Sequence, residues 1–192
     1  MNFRSYFRLE TSRIFRSRIS WLVMALTICA PIAGYLFYHP ATFMHESRIG
    51  LYIANPVLAG ALDGAVLFSL LTLYELDRVH RKKMAVLTDT VVSPLVLNVS
   101  KLFSILSAAT VTVGMASIVY LPYTIVKMGD LWDAGYYLFG CFGLMLPTIW
   151  CGILLAAALY QLTRKLELSF VVFAALIFLS MSSFFSDQFL FR

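Results

Sequence analysis

Charged side chains are scarce in this chain. They account for 13% of its 192 residues, while hydrophobic residues account for 60%. Soluble globular domains carry about 25% charged residues. The mean hydropathy of +0.82 agrees with this bias. The composition therefore excludes an ordinary soluble domain and predicts an all-α integral membrane protein.

Residues that could hold a metal are also few. The three cysteines, Cys29, Cys141 and Cys151, each lie in an apolar run and form no CxxC pair. This pattern favours small packing residues over a disulfide framework or a zinc site. His39 and His45 lack a defined third ligand. We predict no metal site.

The sequence contains none of the short motifs that mark common enzyme classes. It has no GxxxxGK[ST] loop, so we expect no ATP binding of that kind by this chain. HExxH and GxSxG are missing, and no histidine falls inside an apolar run. Because no nucleophile can be paired with a base, we predict neither an enzyme nor a cofactor site.

Apolar residues fall into five runs that are long enough to cross the hydrocarbon core as helices. We therefore predict a bundle of five transmembrane helices. The predicted spans are residues 21–38, 50–74, 102–126, 134–160 and 168–185. Span 3 is rich in small and hydroxyl-bearing residues, which predicts a helix inside the bundle. These residues are Ser104, Ser107, Ala108, Thr110, Thr112, Gly114 and Ser117.

Basic residues predict the orientation. Five precede span 1, five lie between spans 2 and 3 and two lie between spans 4 and 5, so 12 of the 15 share one side. The N-terminus is therefore predicted to be cytoplasmic. The net charge of +5 is interpreted as a topology signal that meets anionic lipid, and we expect no nucleic-acid partner.

The first 20 residues are predicted to be a separate N-terminal segment, with the transmembrane domain in residues 21–192. Phe3, Tyr6 and Phe7 share one helical face, and Arg4 and Arg8 share another. This pattern favours an amphipathic helix along the inner leaflet. A simple basic anchor is the alternative.

The longest polar interval, residues 75–101, is predicted to be a cytoplasmic loop. Its charges are concentrated at its beginning, and Met84 and Leu87 follow at a spacing that shares a helical face. A short helix that docks a partner is one interpretation, with Pro94 at its end. The other is a topology signal whose apolar residues enter the lipid headgroups.

Asp63 lies near the middle of span 2, between Gly60 and Gly64. A carboxylate at this depth costs about 2.5 to 3.5 kcal/mol on insertion scales. It is either a contact for substrate or ions in a water-accessible path, or a protonated group hydrogen-bonded to a neighbouring helix. In the second case the two glycines permit close helix approach.

Two stretches of the chain resemble the membrane subunit of type-2 ATP-binding cassette (ABC) transporters. The first is IFRSRISWLVMAL, which leads from the N-terminal helix into span 1. The second is Glu75 with its basic run, followed by AVLTDTVVSPLVLNVSKLF. It is similar to the family pattern of a glutamate, a coupling helix, a threonine, a proline and a lysine. That family has six spans, and a sixth is not seen here.

The resemblance implies a permease subunit in the cell membrane that pairs with a second permease copy or homologue. Two cytoplasmic ATPases would bind ATP and magnesium and drive export of an amphipathic or hydrophobic substrate. Residues 82–89 would form the coupling helix in an ATPase groove. The residues implied in coupling are Glu75, Arg81, Lys82, Lys83, Met84, Leu87 and Pro94. Asp63 is the candidate for the translocation path.

A second function remains open from the sequence. A scaffold, immunity or sensory subunit that transports nothing would also use a cytoplasmic loop to dock a partner. The count of five spans, where the ABC family has six, favours this alternative.

Overall fold

The computed structural model describes residues 3–37, 50–81 and 94–181. All regular elements within these ranges are helical, because a backbone in lipid must satisfy its own hydrogen bonds. The α-helices are α1 (Phe3–Arg16), α2 (Arg18–Phe37), α3 (Asn55–Arg81), α4 (Pro94–Met128), α5 (Ala134–Leu138), α6 (Leu146–Thr163) and α7 (Leu166–Met181). Two π-helical segments, Gly50–Ala54 and Phe139–Met145, and a 3-10 turn, Gly129–Leu131, complete the described chain.

Three helical stretches within the described ranges are long and apolar enough to cross a membrane, namely Tyr52–Arg78, Val96–Leu131 and Ala134–Thr163. A fourth exists if α1 and α2, which meet at 70°, are taken as one broken span. α7 is apolar but shorter, and predicted span 5 extends past the described residues. The described part of the chain is therefore all-helical with three or four candidate spans, which indicates a membrane protein, and the predicted count of five is not confirmed.

The centre of the bundle is α3, which packs against α2 on one side and α6 on the other. Small residues permit this approach. A Cβ on Gly64 would lie 2.6 Å from Ile149 Cδ1 of α6 and 3.0 Å from Thr27 Cγ2 of α2. Gly60 is similarly close to Met145 and Pro31. Gly60 and Gly64 therefore permit the close helix approach that the second interpretation of Asp63 included.

The hydroxyl groups of α4 mostly bond to the helix itself. Ser104, Thr110 and Thr112 each donate to the carbonyl four residues earlier, at 2.8 to 2.9 Å. Such bonds let a polar side chain enter the bundle without a partner from another helix. Ser104 and Thr112 are fully buried, as predicted for a helix inside the bundle, whereas Gly114 faces open space.

α1 lies across α4, with Ile14 buried at their junction. A hydrogen bond of 3.0 Å joins Thr11 Oγ1 to Ser104 Oγ. α1 ends at Arg16, and α2 begins at Arg18 in a new direction. The bend therefore falls at residue 17, three residues before the predicted boundary at residue 20.

Two helices extend beyond the spans predicted from hydropathy. α3 continues to Arg81 and α4 begins at Pro94, so both ends of the predicted loop 75–101 are helical. The connection between the two helices is therefore residues 82–93. The helices extend past the apolar runs because Glu75, Arg78 and Lys101, which lie in the predicted loop, have partners inside the bundle.

Candidate functional site

A group of five charged residues joins α1, α3 and α4 at one end of the bundle. We call it the charge cluster, and its members are Glu10, Arg13, Glu75, Arg78 and Lys101. Arg13 Nη2 lies 2.6 Å from Glu10 Oε2 and 2.7 Å from Glu75 Oε2. Arg78 Nη1 lies 3.5 Å from Glu75 Oε1. The cluster therefore links residues that are far apart in sequence.

Local helix geometry brings these residues together in pairs. Glu10 and Arg13 are three residues apart on α1, and Glu75 and Arg78 are three apart on α3, so each pair shares a helical face. Arg13 then reaches from α1 to Glu75 of α3. The α4 residue Lys101 donates from Nζ to the backbone oxygen of Glu75 at 3.5 Å.

Burial distinguishes Glu75 from its partners. Its side chain is 1% exposed, whereas those of Arg13 and Arg78 are 30% and 34% exposed. A carboxylate removed from water needs charged partners to remain ionised. Arg13 Nη2 meets Glu75 Oε2 at 2.7 Å, so the buried carboxylate has the charged partner that it needs.

The charge cluster lies beside both ends of the 82–93 connection. Glu75 precedes the end of α3 by six residues, and Lys101 follows the start of α4 by seven, distances of about 9 and 10 Å along the helices. Arg81 is the last residue of α3, and Pro94 is the first of α4. The predicted coupling residues Lys82, Lys83, Met84 and Leu87 lie outside the described residues.

The side chain of Glu75 faces the interior. A direct contact between its carboxylate and a docking partner would require the charge cluster to open. Sequence reasoning assigned no role to Glu10, although its spacing from Arg13 was a readable signal. It used Arg13 and Lys101 as orientation signals, and Lys101 also as the lysine of the family pattern. Their convergence on Glu75 could not be read from the chain order.

Asp63 is a second candidate, near the middle of α3. Its Oδ2 is buried and has no hydrogen-bond partner in the part of the chain that the structure describes. The residue is at the edge of a helix face on which Leu58 and Leu62 are both 52% exposed. The structure therefore provides no neighbouring helix group for a protonated Asp63 to bond within the described ranges.

A small tyrosine-lined cavity of about 20 Å³ lies at the opposite end of the bundle from the charge cluster. Tyr35, Tyr52, Tyr120 and Tyr137 contribute to its wall, and both π-helical segments border it. Tyr120 and Tyr137 donate to backbone oxygens at 2.6 Å, which fixes their rings. The wall of this cavity is almost entirely apolar.

No set of three or more His, Cys, Asp or Glu side chains within the described ranges is arranged to hold a metal. In comparisons with known proteins, no family model, curated protein or solved structure matches this chain. Among the described residues, the features that suggest a function are the two α3 carboxylates, Glu75 and Asp63.

Proposed function

We propose that this chain is the permease subunit of a type-2 ABC transporter that exports an amphipathic or hydrophobic substrate. A second copy or homologue would complete the pathway, and separate cytoplasmic ATPases would bind ATP and magnesium. The protein would lie in the cell membrane with its N-terminus in the cytoplasm, as the distribution of basic residues favours.

The observation that best supports this proposal is the link between the surface helix α1 and the two helices that flank the 82–93 connection. Arg13 contacts Glu75 at 2.7 Å, and Lys101 contacts the backbone of the same residue. A force applied to residues 82–93 would therefore reach α1, α3 and α4 together. A subunit driven by a cytoplasmic ATPase needs such a rigid connection.

Asp63 would act in the translocation path. Its carboxylate lacks a hydrogen-bond partner at Oδ2 among the described residues and is only partly buried. A mid-membrane carboxylate that lacks an internal partner is a candidate contact for substrate, ions or water. In the proposed assembly, the α3 face that carries Leu58 and Leu62 would border the second permease subunit.

The first experiment is purification from the native host in mild detergent, followed by identification of co-purifying proteins and an ATPase assay. A nucleotide-binding subunit in roughly equal amount would support the proposal. Recovery of the membrane protein without an ATPase would contradict it and favour the scaffold, immunity or sensory alternative.

A substitution in the connection tests the docking surface itself. Met84→Asp places a charge on the predicted apolar face, and we expect loss of the ATPase from the purified complex. Val86→Asp is the matched control, because residue 86 would lie on the side of the predicted helix away from Met84 and Leu87. Equal ATPase recovery from both variants and the unaltered protein would contradict the coupling-helix assignment.

A further inference from the structure

An open cleft of about 460 Å³ lies along α1 and the Ser17 link, beside Arg78 of α3. Three arginines line it, together with two serines and one leucine. These residues are Leu9, Ser12, Arg13, Arg16, Ser17 and Arg78. Guanidinium groups with adjacent hydroxyl donors are the groups that proteins use to bind phosphate.

Positive charge in the cleft exceeds what the neighbouring acids neutralise. Glu10 and Glu75 both pair with Arg13, and Glu75 also lies near Arg78. Arg16 makes no ion pair with another described residue. The three arginines and two acids leave a net charge of +1, and Arg16 is available for an external anion.

The start of α2 adds further donors. Ser17 N closes the last turn of α1 on Ile14 O, and Ser17 O accepts the first bond of α2 from Trp21 N, each at 3.1 Å. The N–H groups of the first α2 turn have no partner within the helix. Because Ser17 lines the cleft, these groups and the positive end of the helix dipole lie beside the arginines.

Apolar residues place the cleft at the level of lipid headgroups. Trp21 and Leu22, in the first turn of α2, are 53% and 59% exposed, and Leu9 at the cleft is 59% exposed. Tryptophan is enriched where a span leaves the hydrocarbon core. If α2 crosses the membrane, as the sequence predicts for residues 21–38, the 70° bend sets α1 along the membrane surface. The cleft would therefore open toward the headgroups of that leaflet.

We propose that this cleft binds the phosphate of an anionic phospholipid. Arg16 and Arg78 would contact phosphate oxygens, Ser12 and Ser17 would donate hydrogen bonds, and Leu9 would contact the glycerol and upper acyl region. The bound lipid would brace the bend between α1 and α2. This site is independent of whether the chain transports a substrate.

Native mass spectrometry of the purified full chain tests the site, with phosphatidylglycerol and phosphatidylcholine supplied in equal amounts. We expect preferential retention of phosphatidylglycerol. Arg16→Gln should weaken this retention by about tenfold, because a charge-assisted bond to phosphate is lost. Arg8→Gln is the control, since it removes the same charge from α1 outside the cleft.

Three results would overturn the proposal. Equal weakening by Arg16→Gln and Arg8→Gln would indicate general attraction of a basic helix to anionic lipid. Equal retention of the two lipids by the unaltered chain would exclude a phosphatidylglycerol site. Displacement of phosphatidylglycerol by inorganic phosphate at equal concentration would identify free phosphate as the ligand.

Discussion

Glu75 and Asp63 lie on the same helix, about 18 Å apart along its axis, yet their surroundings differ. Glu75 is 1% exposed and is held by Arg13 and Arg78. Asp63 is partly exposed, and its buried Oδ2 has no partner among the described residues. The comparison separates a carboxylate that holds helices together from one whose buried oxygen no described residue bonds.

The largest effect is expected from breaking the charge cluster. Glu75→Gln keeps the side-chain volume but leaves Arg13 facing a neutral group. We expect a loss of about 3 kcal/mol of stability, at the low end for a broken buried pair because both arginines are partly exposed. Thermal unfolding in detergent measures this loss.

Glu167→Gln provides the control for that measurement, because Glu167 is exposed in the first turn of α7. We expect a change within about 0.5 kcal/mol. A similar change in both variants would mean that Glu75 contributes no more than a surface acid.

A second prediction concerns the packing that positions both carboxylates. Gly64→Ala would place a Cβ 2.6 Å from Ile149 Cδ1, and we expect a loss of about 1 to 3 kcal/mol from overpacking. In Gly114→Ala the new Cβ would meet nothing within 4 Å. That control should be neutral or stabilising by up to about 1 kcal/mol, since alanine favours helix. Equal melting temperatures would contradict the close packing of α3 and α6.

A double-mutant cycle sharpens the description of Glu75. Arg13→Gln, Glu75→Gln and the combined variant should give a coupling energy of about 1.5 kcal/mol, within the usual range for residues in contact. A coupling near zero would mean that the 2.7 Å approach contributes no specific attraction. The cycle is read from the same thermal unfolding measurements.

Sequence reasoning located the helices more accurately than the contacts of the charged residues. Apolar length predicted where α2, α3 and α4 lie, because lipid permits few alternatives to a helix. The same reasoning placed Glu75 in a loop, because a charged residue that follows an apolar run is expected to be exposed to water. Its partner Arg13 lies on α1, 62 residues earlier in the chain. A hydropathy pattern does not predict an ion pair between residues so far apart.

Asp63 shows the opposite case. Its depth within an apolar run was visible in the sequence, and the structure confirms that it lies within a candidate span. Whether a neighbouring helix supplied a hydrogen-bond donor could not be read from periodicity. Within the described ranges, the structure shows no such donor to Oδ2.

The smallest effect on stability is expected at Asp63 itself. Asp63→Asn has nearly the same shape, and no described residue bonds the buried Oδ2, so we expect the free energy of unfolding to change by less than about 1 kcal/mol. Transport in reconstituted vesicles should nevertheless fall, because the carboxylate is proposed to contact the substrate or an ion. Ser69→Ala is the control, since Ser69 is also on α3 and its buried Oγ also has no described partner.

Unchanged transport with Asp63→Asn would contradict a role of Asp63 in the translocation path. A large loss of stability would mean instead that Asp63 has a partner in the assembled protein. Asp63 and Glu75 would then both be paired, and they would differ only in where the partner lies.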